Sequence, residues 1–352
     1  MSAWRLVFEG FDPAQEGLRE ALCTLGNGYF ATRGAAPEAR SDDVHYPGTY
    51  AAGLYNRLTT TVSGQRLENE DLVNLPNWLA LTFRVNDGAW FDLRKLTIRN
   101  YRQELDLRSG VLIRHVRFVD GAGRHTQVHQ RWLVHMEDPH LAGLETTVLA
   151  EDWAGRIAVR SGLDGRVANT GVARYRQLAN RHLEPVRAEE VDDETLLLQV
   201  RTNQSNVLIA QAARTRLWRD GQLVPVERTV VREEGYVAHE LVADLAPGSA
   251  ATIEKVVALY TSRDHAISES SLASCTAVAR SGDYGSLAQR HATAWWNLWE
   301  RFRLDVEDAR GDERTQLVVR LHIFHLLQTV SPNTMELDAG VPARGWHGEA
   351  YR

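Results

Sequence analysis

The stretch GVLIRHVRFVDGAGRHTQVHQRWLVHM, Gly110 to Met136, decides the fold. It has two arms in which apolar and polar residues alternate, joined by Asp120-Gly121-Ala122-Gly123. Alternation with period two is the mark of a half-buried strand, and an Asp/Gly-rich break between two such arms is the mark of a hairpin. In the second arm the even positions Val128, Trp132, Val134 and Met136 are apolar. The odd positions are His125, Gln127, His129, Arg131, Leu133 and His135. Successive strand side chains point to opposite faces, so the even face is expected to pack inward and the odd face to meet water or a neighbour. His125, His129, His135 and nearby His140 therefore read as a polar sheet face. A metal site would need ligands held at close range by rigid elements, and this spacing does not demand one.

The same plan recurs on both sides. LALTFRVNDGAWFDL places Asn86-Asp87-Gly88 between apolar runs, and RLWRDGQLVPVERTVVREEGYVAHELVADL places Asp220-Gly221 and Glu234-Gly235 between segments rich in Val and Leu. Many strands with few helical patterns between them predict a large antiparallel sandwich of roughly 260 residues. After about Thr261 the period changes. SRDHAISESSLASCTAVARSGDYGSLAQRHATAWWNLWERF suits two helices broken near Ser281-Gly282-Asp283. DERTQLVVRLHIFHLLQTV sets Leu317, Leu321, Phe324 and Gln328 on one helical stripe, with Val318 and Leu327 beside it. Trp295 and Trp299, four apart, share a helix face. They are expected to bind the helices to their neighbours, with sugar stacking as the alternative.

The composition excludes several classes. The chain has 352 residues, of which 43% are hydrophobic and 24% charged, as in an ordinary globular protein. A net charge of -6 argues against a broad nucleic-acid or anionic-membrane surface. No apolar run is long enough to span a membrane, and Glu9 and Asp12 interrupt any signal peptide, so a cytoplasmic location is expected. Cys23 and Cys275 are expected as buried free thiols, and no CxxC pair exists to form a zinc or redox site. LGNGYFATRG, Leu25 to Gly34, lacks the Lys-Ser/Thr ending of a P-loop and reads as a tight turn. Asp42-Asp43 and Glu68-Asn69-Glu70-Asp71 read as solvated loops rather than as half of an acid/base pair.

The chain closes on GVPARGWHGEAYR, dense in forked donors, flat rings and proton-exchanging groups. Composition alone leaves a binding loop and a chance surface cluster equally open. Taken with LGNGYFATRGAAPEA, YPGTYAAGLYNR, LVNLPNW and RLHIFHLLQT, it resembles glycoside hydrolase family 65, the family of the maltose, trehalose and kojibiose phosphorylases. The likeness runs in order from Trp4 to Arg352. It implies an N-terminal antiparallel β-supersandwich of the galactose-mutarotase type over residues 1–262 and a helical linker over 263–302. Residues 303–352 would then be the incomplete beginning of an (α/α)6 barrel.

The resemblance further implies that Arg344, Trp346, His347, Glu349, Tyr351 and Arg352 bind substrate, and that the general-acid glutamate lies beyond position 352. The implied activity on α-linked glucose disaccharides is inverting phosphorolysis to β-glucose 1-phosphate. Inorganic phosphate is the co-substrate, no other cofactor or metal takes part, and the full-length protein is a homodimer. The 352-residue chain alone is then expected to be inactive, with Leu317, Leu321 and Phe324 exposed or folded back on the linker. The alternative is a non-catalytic carbohydrate-binding or assembly module that works with a separate barrel chain.

Overall fold

The computed structural model describes residues 3–171, 178–306, 313–335, 337 and 339–341. The N-terminal elements are β1 (Arg5–Glu9), α1 (Glu16–Leu22), β2 (Leu25–Gly26), β3 (Phe30–Thr32), β4 (Thr49–Ala51), β5 (Tyr55–Val62), β6 (Gln65–Leu72) and β7 (Leu81–Val85). Next come β8 (Thr97–Asp106), β9 (Val111–Val119), β10 (His125–Val134), β11 (Leu141–Ala150), β12 (Gly155–Asp164), β13 (Leu183–Glu190), β14 (Thr195–Thr202) and β15 (Leu208–Arg219). The last strands are β16 (Gln222–Leu223), β17 (Glu227–Glu233), β18 (Tyr236–Leu245) and β19 (Ala250–Thr261). Three helices follow: α2 (Ser270–Arg280), α3 (Tyr284–Phe302) and α4 (Glu313–Leu327).

The strands form mostly antiparallel sheets, as expected. A ten-stranded sheet runs β1-β8-β9-β10-β11-β19-β15-β14-β13, with β16 beside β15, and a four-stranded sheet runs β17-β18-β12-β7. The β9–β10 hairpin turns at residues 120–124, and Val116 pairs with Val128 and Leu112 with Trp132. The two sheets face each other across one apolar core. Leu112, Val128, Trp132 and Ile253 of the larger sheet and Phe83, Ile157, Val159 and Val237 of the smaller lie within it. Burying both inner faces is what the alternation of apolar residues demands.

The far side of the larger sheet is covered too. Leu133, Leu141, Ala212 and Val256 pack against Val278, Tyr284 and Leu287 of the helices. This corrects the reading of the odd face of β10: His125, Gln127, His129 and Arg131 keep solvent contact, but Leu133 and His135 are buried. Helix α3, distant in sequence, closes over that end of the strand.

Helices α2 and α3 each begin on a side-chain cap. Glu269 accepts the amides of Ser271 and Leu272 at the start of α2, and Asp283 accepts Ser286 N–H at 2.7 Å at the start of α3. Gly282, at φ +78°, makes the break between them. Trp295 and Trp299 anchor α3: Trp299 Nε1 donates to Leu107 O at 2.9 Å, and Trp295 lies against Gly110. A Cβ at Gly110 would come within 2.0 Å of Trp295 Nε1, so only glycine fits there.

Helix α4 folds back on α3. Phe324 is fully buried and stacks on Trp295 at 4.5 Å. Its buried face is rotated from the expected stripe. Gln316, Arg320, Phe324 and Leu327 are buried, whereas Leu317 and Leu321 are half-buried and Val318 is exposed. The shift has a cause in the N-terminus: Arg320 sits 3.9 Å over the Trp4 ring and donates to Ala3 O at 3.2 Å. Two further expectations change. The residues after Asn86-Asp87-Gly88 form no strand but turn inward at Phe91, which stacks on Phe83 at 4.7 Å, and enter a short 3-10 helix over Leu93–Lys95. Of the two free cysteines, Cys23 is buried and Cys275 only partly so.

Candidate functional site

The Gly-rich stretch Leu25–Gly34 supplies β2 and β3 of a small three-stranded sheet with β4. Its centre is Asn27, whose side chain is wholly buried. The Asn27 Oδ1 accepts the amides of Tyr29 and Phe30, both at 3.0 Å. Its Nδ2 donates to His135 O at 2.8 Å and Pro139 O at 2.9 Å. One side chain thus ties the turn to the exit of β10.

The segment after α4 is strapped onto this turn. Asn333 Nδ2 donates to Asn27 O at 2.9 Å and to Met136 O at 3.2 Å. Gly28, at φ +92°, approaches Ser331 so closely that an added Cβ would lie 2.4 Å from the serine Cβ. The glycines of this stretch therefore serve close packing rather than a phosphate cradle. Farther along, Gly53 meets Ala339, and Arg263 Nη1 donates to Gly53 O.

Between these straps lies a cleft of about 470 Å³, bordered by Tyr29, His140, Asp264, Asn333 and Met335. Tyr29 Oη donates to Asp264 Oδ2 at 2.7 Å, and the Thr261 amide donates to the same oxygen at 2.6 Å. Burial and then the Asp264 carboxylate hold the Tyr29 phenol well above its ordinary range, so it stays a donor. The His140 ring stacks on Tyr260 at 3.7 Å and meets Tyr29 edge-on at 4.4 Å. Its Nδ1 donates to Leu259 O at 2.8 Å, which fixes the neutral tautomer with Nε2 as an acceptor. Burial lowers its pKa, against the opposing pull of Asp264. A wall of rings with one carboxylate and one neutral imidazole can hydrogen-bond a polyhydroxylated ligand and stack on its apolar face.

The six residues expected to bind substrate, Arg344, Trp346, His347, Glu349, Tyr351 and Arg352, lie outside the described residues. The sequence reading did not single out Asn27, Tyr29, Asp264 or Asn333. Among the described residues no cluster of three or more His, Cys, Asp or Glu side chains could hold a metal ion. Of the carboxylate clusters, Asp42 lies in a loop as expected and is bound to Arg94 at 3.0 Å, but Glu68-Asn69-Glu70-Asp71 is not a loop: it belongs to β6, paired with β5, and Glu68 is bound to Arg66 at 3.3 Å.

Residues 6–298 match the glycosyl hydrolase family 65, N-terminal domain. The chain belongs to that family. Relatives in it include an uncharacterized glycosyl hydrolase of Mycobacterium tuberculosis, 48% identical over 349 residues that make up 99% of this chain and 26% of that protein. A kojibiose phosphorylase of Halothermothrix orenii is 26% identical over 344 residues, 95% of this chain and 41% of that protein. A solved structure titled a putative kojibiose phosphorylase from human microbiome superposes with a TM-score of 0.79 at 19% identity, covering 93% of this chain and 42% of its own. That last likeness speaks for the fold alone. The family 65 chain described here spans between about a quarter and less than half the length of these relatives.

Proposed function

We propose that this family 65 chain is the amino-terminal part of a glycoside phosphorylase acting on α-linked glucose disaccharides. The sandwich braces one wall of the sugar site, and the catalytic carboxylic acid comes from sequence outside these 352 residues. That acid protonates the glycosidic oxygen while inorganic phosphate attacks the anomeric carbon from the opposite face, releasing β-glucose 1-phosphate and a free sugar. Phosphate is already an anion, so no second carboxylate is needed to activate it. Arg344 and Arg352 grip oxyanions or hydroxyls, Trp346 and Tyr351 supply flat faces, and His347 and Glu349 hold sugar hydroxyls. The observation that carries this proposal is the strapped turn around Asn27 and Asn333. It holds Pro332, Asn333 and Met335 beside a cleft lined with rings and a carboxylate. Additional support comes from family membership and from a relative named kojibiose phosphorylase.

The test incubates two chains with kojibiose, trehalose and maltose, with and without inorganic phosphate. One is the 352-residue chain and the other is extended to the length of its relatives. Glucose 1-phosphate is expected only from the extended chain and only with phosphate. Phosphate-dependent release by the 352-residue chain would overturn the placement of the acid. Disaccharide binding by the short chain, with no turnover by the long one, would favour a carbohydrate-binding module.

A further inference from the structure

A second hollow lies away from that cleft, beside the four-stranded sheet. It has a volume of about 290 Å³ and is lined by Arg40, Asn77, Thr82, Arg160, Asp164 and Tyr236, among others. An adjoining hollow of about 350 Å³ shares Arg40, Thr82 and Arg160. Tyr236 is only 7% exposed and lines the hollow, with the Arg166 guanidinium 4.3 Å over its ring; its phenolic oxygen makes no hydrogen bond among the described residues. The charges of Arg160, Arg166 and Arg40 all act on it. The Thr82 hydroxyl is buried and equally unpartnered. A buried polar group left without a partner is costly, so the Thr82 hydroxyl calls for a partner supplied from the hollow.

The sign of that partner follows from which charges are already matched. Asp164 is taken by Arg166 through Nε and Nη2, both at 2.8 Å, and Glu38 on the rim is taken by Arg114 at 2.7 and 2.9 Å. Arg160 spends Nε and Nη2 on Glu240, leaving Nη1 for the hollow. Arg40 is exposed and makes no ion pair among the described residues. The carboxylates lining the hollow are neutralised, while one guanidinium and part of a second are not. The remaining hydrogen-bonding capacity is mainly of donors: Arg40, Arg160 Nη1, Asn77 Nδ2 and the two hydroxyls. We infer that this hollow is a binding site for a small phosphate-bearing ligand, either inorganic phosphate or a monosaccharide phosphate. Its volume, near the lower end of ~300–1,000 Å³ for ligand sites, limits the occupant to that size.

The site does not depend on the function proposed above, because none of its residues borders the first cleft. Titration calorimetry at fixed ionic strength would compare inorganic phosphate, glucose 6-phosphate and glucose on the 352-residue chain, its Arg40→Gln variant and its Tyr236→Phe variant. Saturable binding of at least one phosphate compound is expected, with glucose silent. Whichever phosphate compound binds more tightly identifies the source. Arg40→Gln should weaken binding roughly tenfold or more, and Tyr236→Phe, which keeps the ring, about threefold to tenfold. Absence of saturable phosphate binding, binding unchanged in both folded variants, or equal binding of glucose would each overturn the assignment.

Discussion

Lys255 offers the sharpest test of how the two sheets are joined. It lies on β19 in the middle of the sandwich, fully buried, and its Nζ donates to Gly162 O at 2.6 Å and Ala80 O at 3.1 Å. No carboxylate pairs with it among the described residues, and burial alone lowers its pKa from 10.5 to about 7. The unfolded chain therefore binds one more proton than the folded chain between pH 7 and pH 10.5, so this residue makes stability rise with pH across that window. At pH 7 burying this amine costs about 4 kcal/mol. By pH 9 the cost has fallen to about 2 kcal/mol, because the buried amine folds neutral and giving up its proton costs less as pH approaches 10.5.

Lys255→Met keeps the bulk and removes the charge. Urea unfolding followed by tryptophan fluorescence should find the variant more stable than the parent at pH 7, by about 1–4 kcal/mol after the two lost hydrogen bonds. The gap should shrink by about 2 kcal/mol between pH 7 and pH 9. A variant less stable than the parent at pH 7, or a gap that stays constant over this range, would refute the reasoning.

Trp295→Ala should destabilise by about 3–5 kcal/mol in the same unfolding assay and raise dye binding, since Phe324 loses its stacking partner. Gly28→Ala should weaken hydrogen-exchange protection at Asn333 and Thr334, because the new methyl displaces Ser331 from the turn. Burial lowers His135 to about 4 and His291 to about 3, so the stability these neutral rings provide is complete above pH 6.5 and is lost as pH falls from 6.5 toward 3. Melting temperatures from pH 7 to pH 4 should drop less steeply in His291→Gln than in the parent.

The strands were legible wherever alternation met a turn signal, because the core of a sandwich repeats its demand every second residue. The β9–β10 and β17–β18 hairpins are of that kind. What escaped the sequence was set by distant neighbours. Leu133 and His135 share a face with solvated residues and are covered only because α3 lands there. The buried face of α4 follows Arg320 and Gln316, since the Trp4 ring and the backbone at Leu304 and Val306 receive them. Nothing local marks Lys255 or Arg114 as interior charges; their partners lie on other strands and loops. At the candidate site, the glycines flanking Asn27 were a visible sign of close approach, but not of which segment approaches.

Trp4 ties together parts of the chain some three hundred residues apart, through its edge-on contact with Trp299 at 4.9 Å and the Arg320 guanidinium over its face. During synthesis the Trp4 ring must therefore wait, incompletely packed, until Trp299 and Arg320 have left the ribosome.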